Sequence, residues 1–223
     1  MTRPDKILKP SRPKAGRRRP ERLISVDEVL EVGLRIADGE GLNALSMRRV
    51  ADELGVGAMT IYSYVRSKEE MLDGIATRVL GNLPADDPSR DGWRERLELA
   101  AHHLHVALRD HPGVAQIVGS HRGPIPALDH YREKMLGILL DAGIPAGRAG
   151  QVLSALAAYA AGFAHIEQSR AGNEPSDEVR RLRRLPRDEF PHLSDNAEAY
   201  ANHVSQEAFT LGLRSFIAGL VSD

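Results

Sequence analysis

Apolar side chains recur along most of this chain at three- and four-residue intervals, the period of a helix lying on a core. The first such face runs Val26, Val29, Leu30, Leu34 and Ala37. It opens on Ser25 with Glu28 three residues later, a reciprocal capping pair. Asp38-Gly39-Glu40-Gly41 ends it, because glycine tolerates the left-handed backbone of a helix terminus. A second helix is predicted from about Ser46 to Leu54, with Met47, Val50, Ala51 and Leu54 inward. Gly55 supplies a turn, and a third helix runs from about Ala58 to Tyr64. Ser67 and Glu70 make another capping pair, so a fourth helix follows to about Leu80.

Residues 82–92, NLPADDPSRDG, break this pattern with proline and polar groups. Helical periodicity resumes at about 92–110, 112–120, 125–142 and 146–170, with Pro112, Pro124 and Pro145 at early helical positions. Residues 172–193 are polar and hold Pro175, Pro186 and Pro191, which predicts a long loop with at most a helical turn or two at 177–185. A last helix is predicted from about Asp195 to Val221. Hairpin turns and β-branched runs are nearly absent, so the fold class is all-α. The expected organisation is a basic arm (1–22), a compact unit of short helices (23–81) and a larger helical domain (90–223).

Charge sharpens that division. Residues 1–22 carry nine Lys/Arg against Asp5 and Glu21, a sum of +7, while the remainder sums to −8. A basic segment on an acidic body fits a polyanion partner or a solvated terminus. Its densest part, Lys14 to Arg22, includes Arg17, Arg18 and Arg19. The chain has no cysteine, which excludes disulfides and thiolate metal sites and suits a reducing cytoplasm. No signal-peptide pattern opens the sequence, and the apolar stretch Val152–Ile166 is too short to span a bilayer, so no membrane partner is expected.

Residues 45–70, LSMRRVADELGVGAMTIYSYVRSKEE, carry the sharpest chemistry. Two short helices about a tight glycine turn allow one to brace on phosphates while the next enters the major groove. Val56 plugs the angle between them. The third helix turns Ala58, Met59, Thr60, Ser63 and Tyr64 outward, with Ile61 and Val65 inward. Short hydroxyl and apolar groups suit base edges and thymine methyls. Tyr62 and Tyr64 suit phosphates and sugars. Lys68 opens the fourth helix, where ammonium and helix dipole both favour a phosphate.

The stretch LSMRRVADELGVGAMTIYSYVRSKEEML resembles the signature of the TetR family of transcriptional repressors. The family pattern appears as Ala51, Leu54-Gly55-Val56, Ile61-Tyr62-Ser63-Tyr64-Val65, Lys68 and Met71. The resemblance implies that Arg48, Thr60, Tyr62, Ser63, Tyr64 and Lys68 touch double-stranded DNA and that Ala58 and Met59 face bases. Ser63 stands where many relatives have Trp or Asn, and Tyr64 where many have His, so the operator sequence does not transfer. Trp93-Arg94-Glu95-Arg96-Leu97, His111-Pro112-Gly113 and the closing FTLGLRSFIAGLV are similar to the ligand-binding, dimerising domain of the tetracycline-repressor subgroup. Those relatives hold Mg²⁺ through a His and a Glu. Here the His position falls on Val118 or Gly119 and the Glu position on Ile166, with Glu167 adjacent, so the metal ligands are lost.

The 146–170 helix is apolar around nearly its whole circumference and needs partners on several sides. The last helix carries Tyr200, Val204, Ala208, Leu211, Phe216 and Leu220 as a second stripe. Two such helices per subunit suit a four-helix homodimer core, although one subunit burying both is the plainer alternative. A small-molecule inducer of unknown identity is expected within 92–170. Leu104, Met135, Tyr159 and Phe163 are candidate liners, with His105, His121 or Glu167 as polar orienters; each is equally well an ordinary core or surface group. His102 and His105 have i,i+3 metal spacing, but no third ligand accompanies them, so no metal and no cofactor is expected.

The leading reading is a homodimeric repressor that binds a palindromic operator and is released by its inducer. The alternatives are a helical enzyme or metal-binding module, or a scaffold dimer without a ligand. No phosphate loop, HExxH or nucleophile elbow supports the enzyme. Deleting residues 1–22 is predicted to weaken DNA binding and flatten its dependence on salt. An unchanged log–log salt slope would show that the arm contacts nothing.

Overall fold

The computed structural model describes residues 24–84, 87, 89, 92–120, 125–172 and 174–221. Among them are twelve α-helices, one 3-10 turn and no strand. The basic arm, including Arg17, Arg18 and Arg19, lies outside the described residues, as does His121.

Helix α1 (Val26–Glu40) starts at the expected reciprocal cap. Ser25 Oγ accepts from the Glu28 N–H at 3.1 Å, and Glu28 Oε2 accepts from the Ser25 N–H at 2.9 Å. Its buried face is Val29, Val32, Gly33, Ile36 and Ala37. Val26 was expected inside and is 44% exposed. The face is rotated because α1 is gripped by three helices: α2 (Met47–Leu54), α4 (Lys68–Leu80) and α6 (Pro112–Ser120).

Ser46 caps α2, and all four expected inward residues are buried. Gly55 follows at φ +69°, a conformation in which a Cβ is strained. Helix α3 spans Ala58–Tyr62 and ends two residues earlier than expected, because Ser63 and Tyr64 form a turn. Ile61 and Val65 are buried as expected. At α4 the cap differs from the sequence expectation. Ser67 Oγ accepts from the Glu70 N–H, but Glu70 Oε2 accepts from Arg66 rather than from Ser67.

Helix α5 (Trp93–Asp110) runs through the middle of the second half. It packs most extensively on α8 (Ala146–Arg170) and also on α6, α7 (Pro126–Asp141) and α12 (Gln206–Ala218). Tyr131 of α7 is buried and donates its hydroxyl to the Ala100 carbonyl at 2.7 Å, fixing α7 on α5. Buried residues from Ile24 to Leu220 form one continuous core through both halves.

The C-terminal region corrects the sequence expectation. The proposed loop holds α9 (Pro175–Arg183), and the single last helix is divided into α10 (Pro191–Asp195), α11 (Ala197–Ala201), α12 and the 3-10 turn Gly219–Val221. Pro175 and Pro191 occupy early helical positions, where the missing N–H is harmless. Leu182 is fully buried and anchors α9, while Arg183 pairs with Glu198 of α11. Ser205 restarts the chain as α12 by accepting from the Ala208 N–H at 3.2 Å.

The two halves meet where α6 abuts α1. A Cβ built on Gly113 would lie 2.7 Å from the Ala37 carbonyl carbon and 3.0 Å from its oxygen. Asp38 spans the joint: Oδ1 accepts from the Gly113 N–H at 2.9 Å, and Oδ2 is 2.8 Å from His111 Nδ1.

Ile61 is fully buried and seats α3 on the rest of the head. Ile61→Ala is expected to destabilise the chain by roughly 2–5 kcal/mol, read from urea unfolding.

Candidate nucleic-acid interface and regulatory core

Burial of Ile61 decides which groups of α3 face outward. Met59 is 80% exposed and Tyr62 47%, while Ala58 and Thr60 are half-buried. Ser63 is exposed, but its hydroxyl donates to the Thr60 carbonyl at 2.6 Å, so its oxygen is left mainly as an acceptor. Tyr64 is only half-buried yet packs on the core, so it is less outward than the sequence suggested. Arg48 extends from α2 into solvent, 4.0 Å from Asp52, a separation that holds it weakly.

Lys68 is not a free ammonium. Its Nζ donates to the Leu42 carbonyl at 2.9 Å, which ties the start of α4 to the α1–α2 loop. Two of its three N–H donors remain for another acceptor. Arg49 fixes the same corner from the far side by bonds of 2.8 Å to Glu40 and to Glu53.

In the second half, His105 of α5 has no exposed surface. Its Nε2 lies 2.8 Å from Glu167 Oε2 of α8, and its ring stacks on Phe209 at 3.9 Å. The carboxylate only accepts, so Nε2 carries the proton and Nδ1 is a bare acceptor with no partner. Phe209 also stacks on Tyr159 at 5.2 Å and meets Phe163 edge-on at 5.3 Å. The Tyr159 hydroxyl donates to the Phe209 carbonyl at 2.9 Å. It rests against Gly212, where a Cβ would come within 2.2 Å of the hydroxyl oxygen and 3.0 Å of the ring.

The expected ligand liners therefore separate into two groups. His105, Tyr159, Phe163 and Glu167 converge on this aromatic cluster. Leu104 and Met135 instead line a small apolar gap of about 10 Å³ with Tyr131, Leu153, Leu156 and Ala157. That volume holds at most one water. Larger clefts border the aromatic cluster: about 420 Å³ between α5 and α12, lined in part by His102 and Phe209, and about 610 Å³ between the end of α8 and α9, lined in part by Glu167.

Residues 29–75 match the model for bacterial regulatory proteins of the tetR family, and residues 83–222 match the tetracyclin repressor-like C-terminal domain. The chain belongs to the TetR family. It is 38% identical over 136 residues to the transcriptional repressor DrrR1 of Streptomyces coeruleorubidus, a match covering 60% of this chain and 48% of that one. The class E tetracycline repressor of Escherichia coli is 27% identical over 201 residues, covering 88% and 90%. Among solved structures, the Streptomyces coelicolor TetR family protein ActR in complex with actinorhodin superposes with a TM-score of 0.76 at 28% identity, covering 89% of this chain and 96% of that one.

As a TetR-family member the chain is a DNA-binding transcriptional repressor, and the enzyme alternative falls because its relatives are regulators. The magnesium site of the tetracycline repressors does not fit here. Val118 offers no donor, Glu167 is engaged by His105, and no cluster of three His, Cys, Asp or Glu suited to a metal occurs among the described residues. His102 and His105 are not paired either: their ring centroids lie 6.3 Å apart, and His105 Nε2 is turned to Glu167.

Sequence reasoning passed over Phe209, the hub of the aromatic cluster, and Asp38, the residue at the joint. The FTLGL segment carried a signal for the first, with Phe209 four residues before Leu213 on one face. For the second the signal was an acidic group in the last turn of a helix, where the dipole disfavours it.

Burial lowers the His105 pKa, opposed by Glu167. Burial also lowers that of His102. Near pH 6.5 the unfolded chain takes up protons that the folded chain refuses. Their contribution to stability is complete above that pH and declines as pH falls through it towards the folded values. Urea unfolding from pH 7.5 to 5.5 is expected to show this decline, and His105→Gln to make it shallower.

Proposed function

We propose that this regulator is a homodimer that reads a two-fold symmetric operator and is released from it by a small molecule. In this reading residues 23–81 form the reading head, residues 90–223 form the regulatory and dimerising domain, and residues 1–22 form a basic arm on neighbouring phosphates. Arg48, Thr60, Tyr62, Ser63, Tyr64 and Lys68 contact DNA, with Ala58 and Met59 towards the bases. Arg17, Arg18 and Arg19 supply charge from the arm. The protein acts in the bacterial cytoplasm, where operator DNA lies.

The observation that carries the dimer is the outer face of α8. This helix is long and apolar enough to cross a bilayer by length and composition, with mean hydropathy 1.2, yet only 28% of its apolar window is buried within the subunit. Its exposed face runs Gly147, Gly150, Gln151, Ser154, Ala158, Gly162 and Ile166, most of them small. On the adjacent α12, Leu211 is 69% exposed and Phe216 37%. Large apolar groups beside a shallow small-residue groove suit an isologous helix pair, in which each copy fills the other's groove. Two heads held by such an interface reach successive major grooves one helical turn apart.

The inducer reading is supported by the bare Nδ1 of buried His105 and by the small apolar gap beside Leu104 and Met135, which a ligand would have to widen. A ligand that parts α7 from α5 and α8 gains apolar contact there. It shifts the dimer only if it binds the released state more tightly than the DNA-bound one. ActR, which shares the fold, has been solved in complex with actinorhodin. That supports a small-molecule effector without naming this chain's own.

Sedimentation is expected to give a dimer, and Leu211→Glu with Ser154→Glu a monomer. A duplex selected from a random pool should footprint as two matching half-sites. Tyr62→Ala and Lys68→Ala should each weaken binding by about tenfold, as expected for losing a hydrogen bond to a charged group. A monomeric wild type protecting one half-site would overturn the dimer, and full affinity in both variants would overturn the contact assignment.

A further inference from the structure

Helix α3 is distinguished by the side chains it lacks. Reading a base edge by paired hydrogen bonds takes Arg or Lys for guanine and Asn or Gln for adenine, while Glu or Asp accepts from cytosine. None of these six residue types occurs from Gly55 to Val65. Arg49, on the preceding helix, is no substitute, because Glu40 and Glu53 hold its guanidinium at 2.8 Å each. A paired contact to a base would have to come from outside α3.

What α3 presents instead is apolar. Met59 is 80% exposed, the highest value among the exposed large apolar residues described. It belongs neither to the core nor to the partly buried groups packed on it. Met47, Met71 and Met135 are all buried, so this chain buries methionine wherever a core is at hand. A thioether chain left in water forgoes the gain of burial until an apolar partner arrives. Four residues on, and so on the same face, stands exposed Ser63. Its hydroxyl hydrogen is used on the Thr60 carbonyl at 2.6 Å, which leaves Oγ able only to accept. In the major groove the one apolar group is the thymine C5-methyl, and the donors are the amino groups of adenine and cytosine. A T·A pair shows a methyl and an amino group together. A G·C pair shows the amino group without the methyl.

We propose that α3 selects T·A pairs through the thymine methyl group, with Met59 as the specificity-determining residue and Ser63 accepting from an adenine amino group. This inference rests on the operator reading above and deepens it by naming the base and the group on it that is recognised. Phosphate contacts supply affinity without sequence. Helix α3 adds discrimination by withdrawing methyl groups from water rather than by paired hydrogen bonds. The unbranched, flexible Met59 chain adapts to the position of the methyl it covers, so the preference for thymine is graded rather than absolute.

The test changes the DNA first, so folding of a variant is not at issue. A duplex that the full-length chain selects from a random pool is made again with uracil for thymine, one position at a time, in the protected half-sites. Uracil pairs with adenine as thymine does and lacks only the methyl. Wild type is expected to bind about fourfold more weakly when a methyl under Met59 is removed, the scale of one buried carbon. Met59→Ala should bind the thymine duplex more weakly by a similar factor and lose nothing further at that position. Met59→Leu should keep the preference for thymine over uracil, and Met59→Gln, of similar length but polar, should lose it. Wild type that binds every uracil duplex as tightly as the thymine duplex would overturn the proposal. So would a uracil penalty equally large in wild type and Met59→Ala, or selected half-sites without thymine. A wild type that selects no duplex would overturn the operator reading itself.

Discussion

The near-contact of Gly113 with the backbone of Ala37 organises the molecule, because it makes α1 a shared element. One side of α1 completes the reading head against α2 and α4. Another receives the first turn of α6. A helix gripped from both directions cannot serve one half and ignore the other. The continuous core from Ile24 to Leu220 is the packing consequence, and Asp38 is its polar counterpart. The rotation of the buried face of α1 towards Val32 and Ile36 has the same origin.

The head and the regulatory half use opposite strategies around their key side chains. Helix α3 is five residues long and depends on Ile61 beneath it, which leaves Met59 and Tyr62 free for a partner. In the regulatory half, His105, Tyr159, Phe163 and Phe209 spend their rings on one another. The head is thus preformed, while any ligand entering the aromatic cluster must displace internal contacts. That contrast fits the proposal of a preformed DNA reader governed by a core that must rearrange.

Much of this was legible in the sequence, for local reasons. The caps at Ser25, Ser46 and Ser67, the turn at Gly55 and the apolar period of α2, α5 and α8 are each encoded within a few residues. What escaped was set by contacts distant in sequence. The polar stretch around α9 read as loop because its helix is held by a single buried Leu182 and by ion pairs such as Arg181–Glu178 and Arg183–Glu198, not by an apolar face. The last helix read as continuous because its apolar residues keep helical spacing across Asn202 to Ser205, where the backbone departs from it. Among the candidate site residues, spacing identified Met59 and Ser63 as outward. It had no means of showing that Lys68 shares its charge with Leu42, that Tyr64 leans on the core, or that Leu104 and His105, adjacent in sequence, serve different groups.

The lodging of the Tyr159 hydroxyl against Gly212 has an evolutionary consequence. The tyrosine ring is fixed at its far end by the Phe209 carbonyl and cannot swing aside for even a methyl group. Descendants of this chain can therefore change the two positions in one order only. The aromatic residue must shrink first, opening a tolerable void, before the glycine acquires a side chain. A lineage attempting the reverse passes through an overpacked intermediate. Position 212 is thus held by its neighbour's side chain rather than by any demand of its own backbone.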